Sequence, residues 1–256
     1  MDKKFVDTNI LIEKIENRLP DLSLTGCYIS SITALEFLNN FEQDRHYCAK
    51  YYVPGNNSKI PHFLKARTEN TFLRRDHPFS KRLTDSIIFD FKGQFPYYSI
   101  FNNESISAAI NDKLIDVFRM SIKFTPKKEY KALDRKYNFL LAHNLSCQSI
   151  QTPDIEMAYF LLKSFTEKYS IKNNFGNSWN DLLILSQCLN EKSTLFTEDS
   201  LLIRFSTDLL LGTMSPQANY MQIEFKHEDI ESKKSNSGES KGYINRGWDY
   251  KIRKGL

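Results

Sequence analysis

Short apolar strands alternate with helices at both ends of the chain, and this alternation restricts the fold more than any other feature. At the start, "KKFV" reads as a strand and "NILIEKIENRL" as the helix after it. "GCYIS" is a second strand, followed by "SITALEFLNNFEQDRHYCAKYY" as a long helix. Toward the end, "NDLLILSQCLNEK" reads as a helix, "STLFT" as a strand, "EDSLLIRF" as a short helix and "YMQIEF" as a last strand. Such alternation builds a parallel sheet with helices on both faces, an α/β fold. In between, "SISAAINDKLIDVFRMSI", "PKKEYKALDRKYNFLLAHNL" and "PDIEMAYFLLKSFTEKY" carry apolar residues at the three- and four-residue spacing of helices. Pro126 and Pro153 sit where helices commonly start. The expected layout is an α/β core from 1–43 and 176–225, a helical insertion over 44–175, and a polar, flexible tail over 226–256. The closing "YINRGWDYKIRKGL" regains enough rings and charge to dock.

Charge follows the same division. The net charge of +4 conceals 4 Lys/Arg against 7 Asp/Glu in residues 1–43 and 2 against 6 in 176–225. The middle, 44–175, carries 21 against 13, and the tail 8 against 5. Acidic ends around a basic middle suit a cation site in the core and a polyanion on the insertion. Cys27, Cys48, Cys147 and Cys188 lie far apart with no C-x-x-C pair, which argues for buried thiols in a reducing cytoplasm and against a zinc site or a disulfide framework. A charged N-terminus that enters a strand at once is unlike a secretory signal. No apolar run approaches the roughly 20 residues that span a bilayer, so a cytoplasmic protein without a membrane partner is expected.

Ligands of a parallel sheet gather outside the C-terminal ends of its strands. Asp7 ends the first strand, Asp199 follows "TLFT", Asp181 opens the helix leading into that strand, and Glu36 lies one turn into the helix after the second strand. Each has a plain alternative. Asp7, with Thr8 and Asn9, can cap a helix, as can Asp181 and Asp199, and Glu36 can sit on a solvated face. Asp85, Asp90, Asp112, Asp116 and Asp154 have only such readings. Capping accounts for each acid singly but not for four at one edge.

These stretches resemble the PIN-domain nucleases, above all the VapC-type ribonucleases of toxin–antitoxin pairs. The resemblance rests on "FVDTNILI", "SSITALEF", "NDLLILSQCL" and "LFTEDSLL", in that order, and covers about residues 3–42 and 176–205. It implies a PIN-like three-layer α/β/α core. Asp7, Glu36, Asp181 and Asp199 then match the acidic quartet that holds Mg²⁺ or Mn²⁺, and Asn9 and Thr197 match polar positions that support it. Where the family often adds another Asp, two residues after the fourth acid, this chain has Leu201. Glu198 either substitutes as a ligand or points to solvent. The implied activity is metal-dependent endoribonuclease cleavage by water, leaving a 5′-phosphate and a 3′-hydroxyl, in a toxin, a defence effector or a processing enzyme. An inhibitory protein partner and a homo-oligomer are compatible with it. Independently of the family, carboxylates without His or Cys suit Mg²⁺ or Mn²⁺ better than zinc.

The basic middle is the expected substrate surface. Residues 44–83 interleave Arg74, Arg75, Lys81, Arg82 and further cations with Tyr47, Tyr51, Tyr52, Phe63 and Phe72. Cations for phosphates and rings for unstacked bases are what single-stranded or looped RNA requires. A solvated helical face over a core of rings is the competing reading. A second cluster, Lys123, Lys127, Lys128, Lys131, Arg135 and Lys136, reads as an exposed helix face. Two other functions stand beside the ribonuclease: a structure-specific DNA nuclease, and a non-catalytic scaffold that binds nucleic acid or protein.

Overall fold

The computed structural model describes residues 3–38, 51–54, 85–123, 125–171, 174–210, 213–217, 220–224 and 248–254. Its main sheet contains β1 (Lys4–Val6), β2 (Tyr28–Ser30), β5 (Ser146–Gln148) and β6 (Thr194–Thr197) in parallel, joined by β8 (Tyr220–Glu224) and β7 (Thr213–Gln217). The order is β5-β2-β1-β6-β8-β7, with β8 antiparallel to both of its neighbours. The parallel strands are short but apolar on both faces. Phe5, Val6, Ile29, Leu195 and Phe196 are all buried, as strands covered on both sides must be. Phe5 stands level with Tyr28 on one side and Leu195 on the other. The Asp7 N–H donates to Phe196 O at 3.0 Å, carrying the β1–β6 ladder one residue past the end of β1.

Helices flank this sheet: α1 (Thr8–Ile15), α2 (Ser31–Leu38), α3 (Asn103–Asn111), α4 (Ile115–Ile122), α5 (Lys127–Ala142), α6 (Thr152–Lys168), α7 (Phe175–Asn190) and α8 (Ser200–Leu210). Helix α7 is buried almost all round from Phe175 to Leu189, the signature of a central helix. Helix α6, which starts on a Gln151–Asp154 capping box with Pro153 in its first turn, packs along it.

The segment expected as a helical insertion differs from that expectation. Besides α3 to α6, the described residues of 44–175 supply β5 to the main sheet and the hairpin β3 (Ser86–Asp90)–β4 (Tyr98–Phe101) to a second, antiparallel sheet. The main sheet therefore reaches beyond 1–43 and 176–225. Strands of three to five residues offer too few periods to stand out among helices, although Lys92 and Gly93, both at positive φ, mark the hairpin turn. The continuous helix expected over 105–122 is two, broken where Lys113 adopts a left-handed φ of 54°. Residues 39–50 of the long second helix lie outside the described residues.

The expected flexible tail also ends in structure. Its last strand, β9 (Asp249–Arg253), pairs antiparallel with β3, setting Phe89 level with Tyr250, while 225–247 lie outside the described residues. The second sheet lays its rings on α6 and α7. Phe89 and Phe91 each meet Trp179 edge-on at 5.1 Å, Phe91 meets Phe175 at 4.9 Å, and Tyr159 stands 5.2 Å from both Trp179 and Trp248. Such pairs favour edge-to-face contact because ring edges are positive and faces negative. Cys27, Cys147 and Cys188 are buried, and burial raises each thiol's pKa, Cys147 to about 12. Among the described residues no helix is long and apolar enough to cross a membrane.

Candidate active site

From β1 the chain moves outward through β2 to β5, then returns to the other side of β1 as β6. The connections leaving β1 and β6 therefore diverge, and a crevice opens at the C-terminal ends of these two strands. Asp7 follows β1 and Asp199 follows β6.

The Thr197 hydroxyl joins these two acids. It donates to Asp7 Oδ2 at 2.6 Å, accepts from the Asp199 N–H at 3.0 Å, and accepts a longer bond from Asn9 Nδ2 at 3.4 Å. One donor and two acceptor positions are all that a hydroxyl has. A second hydroxyl extends the chain: Thr8 Oγ1 donates to Glu36 Oε2 at 2.6 Å while the Thr8 N–H donates to Asp7 Oδ1 at 2.7 Å. Glu36, Thr8, Asp7, Thr197 and Asp199 thus form one hydrogen-bonded line along the rim. Asp181 meets it from the side. It shares with Asp199 a hollow of ≈ 10 Å³, bordered by Ser178, Leu201 and Phe165, about the space that one water molecule needs.

Capping explains part of this arrangement. Asp7 and Asp199 each use one oxygen at a helix start, on Thr8 N and Leu202 N respectively. Asp181 does not open its helix as expected. The cap of α7 is Asn174, whose side chain accepts from Gly176 N, and Asp181 lies two turns further in. Glu36 is not on a solvated face. It is half-buried, and Asn180 Nδ2 donates to its Oε1 at 2.7 Å. The other acids play the plain roles expected of them. Asp85, for instance, is buried and accepts from the N–H groups of Glu104 and Ser105 at the start of α3.

As the side chains lie, no three His, Cys, Asp or Glu residues among the described ones form a group that holds a metal ion. The rim presents pairs of carboxylates bridged by hydroxyls. The donors are oxygens throughout, which fits a hard divalent cation. Glu198 is exposed; partial desolvation and then Glu13 raise its carboxyl pKa, while Arg18 opposes them.

Arg74, Arg75, Lys81 and Arg82 lie outside the described residues. In the second basic cluster, Lys127, Lys128, Lys131 and Arg135 are exposed on α5, whereas the Lys136 ammonium rests 5.3 Å from the Phe37 ring centroid. Asn180 and Tyr98 were missed as site residues. Asn180 adjoins Asp181 in "WND", but Tyr98 reaches the rim from a strand that sequence periodicity does not disclose. Compared with known family models, curated proteins and solved structures, the chain matches none of them.

Proposed function

We propose that this chain is a PIN-like, Mg²⁺- or Mn²⁺-dependent endoribonuclease. The observation that carries the reading is the hydroxyl-bridged line from Glu36 to Asp199 at the crevice beside β1 and β6, with Asp181 at its side. Helix capping does not account for the positions of Glu36 and Asp181, nor for the Thr197 bond that ties Asp7 to Asp199. A divalent-cation site gives all of them one purpose. Four carboxylates facing a phosphodiester would repel it unless a cation intervened.

Asp7, Glu36, Asp181 and Asp199 would hold the ion. When bound, it neutralises the phosphate and makes a water more acidic. The chain's own groups set up the rest. Thr197 and Thr8 fix the carboxylates through their hydroxyls, and Asn9 supports Thr197. Water loses a proton to solvent as its oxygen bonds to phosphorus, the bond to the 3′-oxygen breaks, and that oxygen takes a proton from solvent to leave as a 3′-hydroxyl opposite a 5′-phosphate. RNA as substrate rests on the sequence resemblance and on the cations of residues 44–83; of the rings there, Tyr51 is buried edge-on against Phe118 and belongs to the core. A toxin or defence role rests on the resemblance alone.

The test is incubation of the purified chain with single-stranded RNA and, separately, single-stranded DNA, in Mg²⁺, Mn²⁺ or EDTA, followed by mapping of the ends. The expected result is RNA cleavage in either metal and none in EDTA, with 5′-phosphate and 3′-hydroxyl ends. Full activity in EDTA, or 2′,3′-cyclic phosphate ends, would refute it. Cleavage confined to DNA would keep the site and change its substrate.

A further inference from the structure

Glu36 is held from α7 as well as from α1. Its Oε1 accepts from Asn180 Nδ2 at 2.7 Å, and Asn180 Oδ1 accepts in turn from the Tyr98 hydroxyl at 2.6 Å. Asn180 is 5% exposed and Tyr98 9%, so little water competes for these bonds. The chemistry permits one polarity. A carboxylate only accepts, so the amide must turn its NH₂ toward Glu36. Its oxygen is then left for a donor, which the tyrosine hydroxyl supplies.

The helix makes room for that ring. A Cβ added at Gly176 would lie 2.9 Å from Tyr98 Cε2 and 3.2 Å from Asn174 Oδ1. The first turn of α7 thus lacks a side chain where the ring of Tyr98 passes. Tyr98 belongs to β4, whose partner β3 also pairs with β9. The second sheet therefore reaches the rim through the Tyr98 hydroxyl.

We infer that Tyr98 and Asn180 are positioning residues for Glu36, holding its carboxylate in the orientation in which it joins Asp7 as a metal ligand. This rests on the nuclease reading of the rim. It assigns the second sheet a part in activity, although none of its residues carries an acid of the quartet. It also ties Glu36 to Asp181, because Asn180 and Asp181 are consecutive on α7.

The experiment compares the full-length parent with Tyr98→Phe, Asn180→Leu and the double variant. Mn²⁺ affinity is measured by calorimetry without RNA, and cleavage rates are measured at saturating RNA across a Mn²⁺ titration. Tyr98→Phe keeps the ring and removes one hydrogen bond. It should weaken Mn²⁺ binding about fivefold, the worth of one such bond, with the KM for RNA unchanged. Asn180→Leu should weaken binding further. The double variant should match Asn180→Leu, since Tyr98 acts only through the amide. If the parent binds Mn²⁺ and cleaves RNA while Tyr98→Phe matches it in both, or if the two substitutions add independently, the inference falls and the nuclease reading stands. A parent that neither binds Mn²⁺ nor cleaves removes both. Should Asn180→Leu not fold, Tyr98→Phe decides alone.

Discussion

Thr197 is a small side chain with no charge, yet it meets two of the rim's acids at once. Its replacement by Val keeps the shape and removes the hydroxyl, leaving Asp7 Oδ2 and the Asp199 N–H each without this partner. Thr197→Val should cost about 1–2 kcal/mol in urea unfolding and slow RNA cleavage about tenfold or more, because carboxylates that are no longer oriented hold their geometry poorly. Unchanged stability and rate would mean that the bridge orients nothing. At this scale the acids were legible in the sequence, since strand ends and helix starts fix where Asp7, Glu36 and Asp199 emerge. The bonds among them were not. Thr8 reads locally as part of a cap, but its hydroxyl goes to Glu36, 28 residues away. Only the packing of α1 beside α2 reveals that pairing.

Among the elements, the long amphipathic helices were readable because each repeats its signal, and β1, β2 and β6 because each is an apolar run that hands over to a helix. The short strands β3, β4 and β5 were not, and their positions depend on side chains borrowed from elsewhere. Strand β5 ends the main sheet, and Asn111 closes its open edge: the Asn111 carboxamide accepts from the Cys147 N–H and donates to Cys147 O, both at 2.8 Å. An edge covered this way offers no ladder to another chain. Asp85 anchors the start of α3 similarly. It is buried, and besides its two backbone bonds it accepts from the Ser105 hydroxyl. Asp85→Ala would leave two N–H groups at the α3 start without this acceptor and should cost about 3 kcal/mol of unfolding free energy. Cleavage per folded molecule should be unchanged, because Asp85 makes none of the rim's hydrogen bonds described above. A loss below about 1 kcal/mol in chemical unfolding would show that α3 is anchored by other contacts.

For the molecule as a whole, the strand order brings the acidic ends of the chain together. Residues 1–43 and 176–225 meet at β1 and β6, so two negative segments far apart in sequence become one edge. The second sheet, with β9 from near the C-terminus, closes against the other side of α7. Segregated charge was visible in composition, whereas the route of the C-terminal strand back to β3 was not, because a strand's partner is set by packing rather than by its own residues. A cation site and a row of caps respond differently to the loss of one charge at the rim. Asp7→Asn separates them most directly, since Asn caps a helix about as well as Asp but removes one charge from a cluster of like charges. In EDTA the variant should melt at the same temperature as the parent or higher. Mg²⁺ at ten times its dissociation constant should stabilise the parent by about 1.4 kcal/mol, a rise in Tm of about 3–5 °C for a chain of this size. The variant should gain less than half of that and cleave no RNA. Equal Mg²⁺-induced shifts in the two proteins, with cleavage retained by Asp7→Asn, would contradict the account.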